Sequence, residues 1–354
     1  MNNLVYGNRS IELSHLPRGH GESVFEGTYR AEASDFLVTE DLGFEPDGSG
    51  PHIWALIRKV GISSEEACSR LGQATKTPRK DLGYAGKKDT HAISIQWVSL
   101  PDSARIDVGP IDSCLEVLRL SRNQRKLKIG QLAGNHFQLR LYGVVTGNLS
   151  ERLKAIGSVG VPNYFGLQRF GRSGSNLGKA RRLARRDPSG SQRLHPRDGM
   201  AASAARSAGF NAVVAERLDN DRWLDVAVGD VVSLAGRGSH FLASEADISS
   251  IRSRIMAGEL DTTAPMAGRI SKTSSEQNTF ETATLKTDRE LFDWMTGIFR
   301  DEDRRAVRVL PKQLEAGVTE NTLDLSFWLP KGSFATAVLN ELGTLRELYA
   351  RTAS

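Results

Sequence analysis

The sequence predicts a mixed α/β (α+β) fold. Three observations lead there: strand and helix signals intermingle through the first 150 residues, the stretch after Asn163 turns helical and basic, and strand-like alternation returns near the C-terminus. That order implies an insertion: residues 1–154 and 306–354 form one domain, and residues 155–305 form a second inserted into it. The 354 residues are 39% hydrophobic and 25% charged, an ordinary globular composition with enough apolar material for one large or two medium cores.

The first elements are read from periodicity and caps. "VFEGTYRAEASDFLVTE" (24–40) ends in Phe36 and Val38 with Glu40 beyond, the alternation of a half-buried strand. "EPDGSG" follows as a turn; its Asp47-Gly48 pair lacks the regularly spaced oxygen ligands of a calcium loop. "HIWALIRK" reads as a strand. In "SSEEACSRL", Ser63 as N-cap and Glu66 three residues on form a capping box, and the helix ends before Pro78. "DLGYAGKKDTHAISIQWVSL" is a loop leading to a strand over 93–100, with Ile93, Ile95 and Trp97 alternating, and "NHFQLRLYGVV" is a further strand.

Beyond Asn163 the pattern predicts a basic helix over 175–187, an Ala-rich helix over 200–218, short strands within 229–242 and a helix over 247–256. The polar "SKTSSEQNT" reads as flexible, and a helix is expected over 288–299. "NTLDLSFWL" is strand-like and "PKGSFATAVLNEL" turns into a helix; there is no internal repeat.

Net charge is +5, but its distribution says more. Residues 169–197 hold nine basic side chains (Arg169, Arg172, Lys179, Arg181, Arg182, Arg185, Arg186, Arg193, Arg197) against one acid, Asp187; residues 119–128 hold five and no acid. Such runs create local positive potential that attracts phosphate backbones, the bland alternative being a solvated face. Cys68 and Cys114 show no metal-ligand spacing, and the seven histidines form no H-x-x-x-H or H-E-x-x-H pattern, so neither a disulfide framework nor a metal site is expected. "MNNLVYGNRS" lacks the apolar segment of a signal peptide and no stretch reaches bilayer-spanning length, which predicts a cytoplasmic protein with no membrane contact.

Two stretches carry chemistry. "GYAGKKDTHAISIQW" (83–97) places Asp89 directly after two lysines in a glycine-containing turn. An aspartate there can simply cap backbone N–H groups. A carboxylate beside cations can equally serve as base or nucleophile. G-x-x-x-x-G-K-[ST] is absent, which rejects a phosphate-cradling NTPase loop. "VPNYFGLQRFG" (161–171) interleaves Tyr164, Phe165 and Phe170 with Asn163, Gln168 and Arg169, a set suited to unstacked nucleotides: rings and guanidinium planes stack, amides read base edges. The alternative is a core segment with one solvent-facing arginine.

"AGKKD" followed by "HAISIQW", with "NYFGLQRFG" and "GSFATAVLNEL" downstream and "DFLVTEDLGFEPDGSGPHI" and "GNHFQLRL" in the same order, resembles the TruD family of tRNA pseudouridine synthases, from about residue 25 to residue 349. Thr90 stands where that family commonly has a basic residue, and Ser94 where it has threonine.

The resemblance implies a pseudouridine synthase catalytic domain with a mixed, largely antiparallel sheet, a family-specific inserted α/β domain, and an RNA cleft formed by the two. It implies isomerisation of uridine 13 in tRNA: the N1–C1′ bond breaks, the uracil rotates, and C5 joins C1′. No net redox change or hydrolysis occurs, so no cofactor or metal is required. By resemblance Asp89 is the catalytic residue, attacking C1′ or removing a ribose proton. Asn135 and Phe137 would hydrogen-bond and stack on the flipped base. Lys88 would support Asp89, Arg169 would contact substrate, and Arg30 would touch a phosphate. Lys179, Arg181, Arg182, Arg185 and Arg186 would follow the RNA backbone. tRNA is the expected partner of a monomer with no obligate protein partner; the alternative is a non-catalytic RNA-binding or RNA-folding protein.

Overall fold

The computed structural model describes all residues except 1–2, 7–8, 14, 172–173, 236–238, 267–274, 300, 302 and 349–354, and it leaves out the side chains of 275–278. Arg172 of the basic run and residues 271–274 of the polar stretch therefore lie outside the described residues. The chain forms two compact units: Ser23–Leu153 with Pro311–Gly332 and Gly343–Ser354, and Met1–Glu22 with Lys154–Leu310 and Ser333–Leu342. The expected insertion covers residues 155–305, and one of the two units contains residues 154–310. The division differs in giving residues 1–22 and 333–342 to the second unit, for a physical reason: Leu4, Tyr6, Leu13 and Leu16 are buried in that unit's core with Tyr164, Phe210 and Trp294.

The first unit is built on a sheet that has eleven strands among the described residues. Its centre is Gly134–Val145, which pairs antiparallel with Thr322–Pro330 on one side and with Phe36–Asp41 and Phe25–Tyr29 on the other. Phe36–Asp41 then runs parallel to Ile93–Pro101, and Gly343–Glu347 runs parallel to Phe25–Tyr29; the other pairings are antiparallel. Alternation decides which side chains go inward. In the central strand Phe137, Leu139 and Leu141 are buried while His136, Gln138 and Arg140 are exposed.

The helix Ser64–Thr75 starts where the cap predicts, with the Ser63 hydroxyl accepting from Glu66 N at 3.1 Å. Only half of the box forms, because the Glu66 carboxylate pairs with Arg70 one turn on. The helix covers the sheet through Ala67, Cys68 and Leu71, which pack with Ala55, Ile57, Val98 and Val117. Burial pushes the Cys68 thiol up to about 11, an inert core group.

In the second unit the helix Gly199–Asp219 is the core element, buried along nearly its whole length. The basic helix Ser175–Arg186 packs on it through Leu177, Ala180 and Ala184. A four-stranded sheet (His240–Leu242, Val231–Leu234, Leu260–Pro265, Arg304–Ala306) completes the unit among the described residues. The polar stretch expected to be flexible enters a helix at Ser275, running to Lys286, and Arg289–Ile298 follows. The helix was hidden because no apolar residue occurs between Ile270 and Phe280 to set a period, while tertiary burial of Glu281 and Leu285 holds it. No helix among the described residues is long and apolar enough to cross a membrane.

Candidate active site around Asp89

Asp89 lies in the loop between the short strand Gly83–Tyr84 and Ile93–Pro101. The loop is tied down by neighbours on both sides. Ser64, the first residue of the helix Ser64–Thr75, accepts from Lys88 N at 2.9 Å and donates to Gln96 Oε1 at 2.7 Å, linking helix, loop and strand. Buried Lys59, on strand His52–Val60, donates to the main-chain carbonyl of Asp89 at 2.7 Å and to that of Ile62 at 2.8 Å. The Asp89 side chain remains 40% exposed. A rigid frame thus presents a reachable carboxylate.

The cation on that carboxylate is Arg30. Its Nη2 lies 2.6 Å from Asp89 Oδ2 and its Nη1 lies 2.5 Å from Glu347 Oε1, with the arginine side chain only 2% exposed. Arg30 follows the strand Phe25–Tyr29 and adopts φ +60, a left-handed conformation uncommon outside glycine. The guanidinium stacks on Phe36 at 3.7 Å. Burial opposes its charge, but Asp89 and then Glu347 prevail and hold Arg30 above its ordinary range. Where a phosphate contact was expected of Arg30, its fork is enclosed between two carboxylates and a ring.

Lys88, expected to support Asp89 electrostatically, makes its direct contacts elsewhere. Its ammonium sits 2.9 Å from Glu40 Oε2 and donates to Asn135 Oδ1 at 2.6 Å, so its direct partners are in the sheet, not the Asp89 carboxylate. The reason is register: Glu40 faces Asn135 across the strand pair and both lie on the inward face with Val38 and Phe137. Glu40 in turn accepts from Trp97 N at 3.0 Å. Lys87 pairs with Glu65 at 2.7 Å. Phe137 is buried, stacked on Phe327 at 5.5 Å and edge-on to Phe36 at 6.1 Å. The first unit therefore brings together Asp89, Arg30, Lys88, Asn135 and Phe137.

Arg169 belongs to the second unit. It donates to Ser203 Oγ at 3.1 Å and lies 5.1 Å from the Phe165 ring and 5.6 Å from Phe334; burial pushes its pKa down. Arg305 shares those rings, at 4.4 Å and 5.8 Å, and is lowered to about 9 by burial and then by Arg169. On the basic helix, Lys179 pairs with Asp198 at 2.6 Å, Arg181 with Asp288 at 2.7 Å and Arg185 with Glu290 at 2.8 Å. Arg182 and Arg186 are exposed.

Sequence reasoning missed Lys59, Glu40, Glu347 and Arg305. Lys59 and Glu40 had a signal: each is a charged residue in the inward phase of a strand, Lys59 with Ala55 and Ile57, Glu40 with Phe36 and Val38. Glu347 had none, because its pairing opposite Tyr29 is a tertiary contact.

Comparison with known proteins gives a consistent result. The family model described as tRNA pseudouridine synthase D (TruD) matches residues 20–191 and 192–342. The tRNA pseudouridine synthase D of Pectobacterium atrosepticum is 38% identical over 333 residues, covering 91% of this chain and 94% of that one. A crystal structure from Methanosarcina mazei, titled as a tRNA pseudouridine synthase D (TruD), superposes with a TM-score of 0.68 at 20% identity, covering 93% of this chain and 96% of that one, and shares the fold.

Proposed function

This chain belongs to the TruD family of tRNA pseudouridine synthases, and on that premise we propose that it isomerises uridine 13 of tRNA with Asp89 as the catalytic carboxylate. The observation that carries the reading is the pairing of a reachable Asp89 side chain with buried Arg30 at 2.6 Å. An aspartate that merely capped a turn would gain nothing from a guanidinium enclosed at such desolvation cost.

The isomerisation breaks N1–C1′, forms C5–C1′, takes a proton from C5 and returns one to N1. It balances without an oxidant, reductant or nucleotide. Asp89 either attacks C1′ or removes a ribose proton; in both routes Arg30 holds the carboxylate in place, and Lys59 holds the main chain behind it. The target uridine flips out of the RNA at an unstacking cost of a few kcal/mol. Asn135, with its amide oxygen held by Lys88, offers its NH2 group to a uracil carbonyl, and Phe137 backs the base from the aromatic cluster. Arg169 and the exposed Arg182 and Arg186 contact the RNA from the second unit, which we take to hold the family-specific inserted domain. The protein acts on tRNA as a cytoplasmic monomer, without a cofactor.

Mapping of pseudouridine in unmodified tRNA transcripts tests this. Wild-type protein alone converts one D-arm uridine; Asp89→Asn still binds tRNA and converts none. Turnover by Asp89→Asn would remove Asp89 from the role, and conversion only at another site would remove the position.

A further inference from the structure

Lys59 occupies the inward phase of a strand, fully buried, at a position where an apolar side chain would ordinarily pack. Removing an ammonium from water is costly, and here its direct hydrogen bonds go to two main-chain carbonyls, Ile62 and Asp89. Asp89 is thereby gripped twice, at its carbonyl by Lys59 and at its carboxylate by Arg30. We propose that Lys59 is a positioning residue, its ammonium form clamping the backbone of Asp89 so that the carboxylate meets the ribose in a single geometry. The inference rests on the reading of Asp89 as the catalytic carboxylate.

The charged groups facing Lys59 are Asp89 and Lys88 from the loop and Glu65 from the helix Ser64–Thr75; its cross-strand partners, Ser94 and Leu115, carry no charge. Burial lowers Lys59 from the usual 10.5 to about 8, with Asp89 pulling it up, Lys88 pushing it down and Glu65 pulling it up. Below about 8 the group is an ammonium; as pH rises through that value the folded protein loses the clamp's charge. The sign for stability is opposite. Between about 8 and 10.5 the unfolded chain holds the proton that the folded one has released, so this group favours folding more as pH rises, and the loss of rate is not unfolding driven by Lys59.

Single-turnover rates on tRNA across about pH 7 to 9.5 test the proposal. Wild type loses rate as pH rises through about 8. Lys59→Met is slower by about 10²-fold, lacks that falling limb and keeps its tRNA affinity within about threefold. Lys59→Arg, whose guanidinium stays charged in this range, moves the limb beyond the upper end. In wild type labelled at lysine Nζ, one ammonium resonance titrates near pH 8, and its midpoint drops in Asp89→Asn, which removes the attracting charge. A flat wild-type profile, an unchanged limb in whichever Lys59 variant folds, or no such resonance overturns the proposal. Turnover by Asp89→Asn is a separate failure, of the catalytic reading itself.

Discussion

At Arg30 the chain accepts a left-handed backbone, a cost on the order of 1–2 kcal/mol, and gains two ion pairs and a ring stack in one place. Such an arrangement belongs to a site where orientation matters more than local ease. Two roles for this arginine predict different kinetics. A phosphate contact would weaken tRNA binding when removed; an orienting partner of Asp89 would slow chemistry. Arg30→Leu is expected to lower kcat by about 10²-fold while tRNA affinity changes by less than about threefold, read by single-turnover rates beside filter binding. A main effect on affinity would return Arg30 to the RNA surface. In the sequence this arginine stands six residues before Phe36 with nothing to mark it as the partner of Asp89 and Glu347, which are 59 and 317 residues away.

Among the elements, the strand Phe25–Tyr29 matters because it delivers Arg30. It is wedged between Gly343–Glu347 and Gly134–Val145, and Gly27 faces Gly143 in the second of those pairings. A methyl group on Gly27 would stand 2.1 Å from the Tyr142 carbonyl oxygen, and one on Gly143 would stand 2.1 Å from that of Glu26. The backbones meet too closely for any side chain. Gly27→Ala is therefore expected to destabilise the protein by about 1–3 kcal/mol in denaturant unfolding and to lower kcat as Arg30 shifts. Unchanged stability would mean that the pairing relaxes freely. Periodicity made the strands Phe36–Asp41, His52–Val60, Gly134–Val145 and Thr322–Pro330 legible, because in each one face is the more buried. Ile93–Pro101 is read from Ile93, Ile95 and Trp97, yet it is buried on both faces from Gln96 to Leu100, with Ser94 and Gln96 fully inside. The strand Lys312–Val318 is almost wholly exposed, and Gly83–Tyr84 is two residues long, so neither left a pattern to read.

For the whole molecule, the proposed hold on tRNA by the basic helix meets a limit, because ion pairing has already spent much of that helix. Lys179, Arg181 and Arg185 each face a carboxylate, whereas Arg182 and Arg186 are exposed with no carboxylate in ion-pair contact among the described residues. Each of Arg182→Gln and Arg186→Gln is expected to reduce the slope of log K against log salt by about one, and Arg181→Gln by much less. Equal losses at all three would show that the pairs open on binding. The sequence by itself determined the mixed fold, most of the helices, several of the longer strands and the family, and through the family resemblance it proposed Asp89 with Asn135 and Phe137, because local periodicity, caps and ordered motifs are written in neighbouring residues. Only the tertiary structure decided which cation meets which oxygen: Arg30 on the Asp89 carboxylate, Lys88 on that of Glu40, Lys59 on the Asp89 carbonyl. Those pairings depend on strand register and on which face each side chain takes, and contacts between residues far apart in the chain settle both.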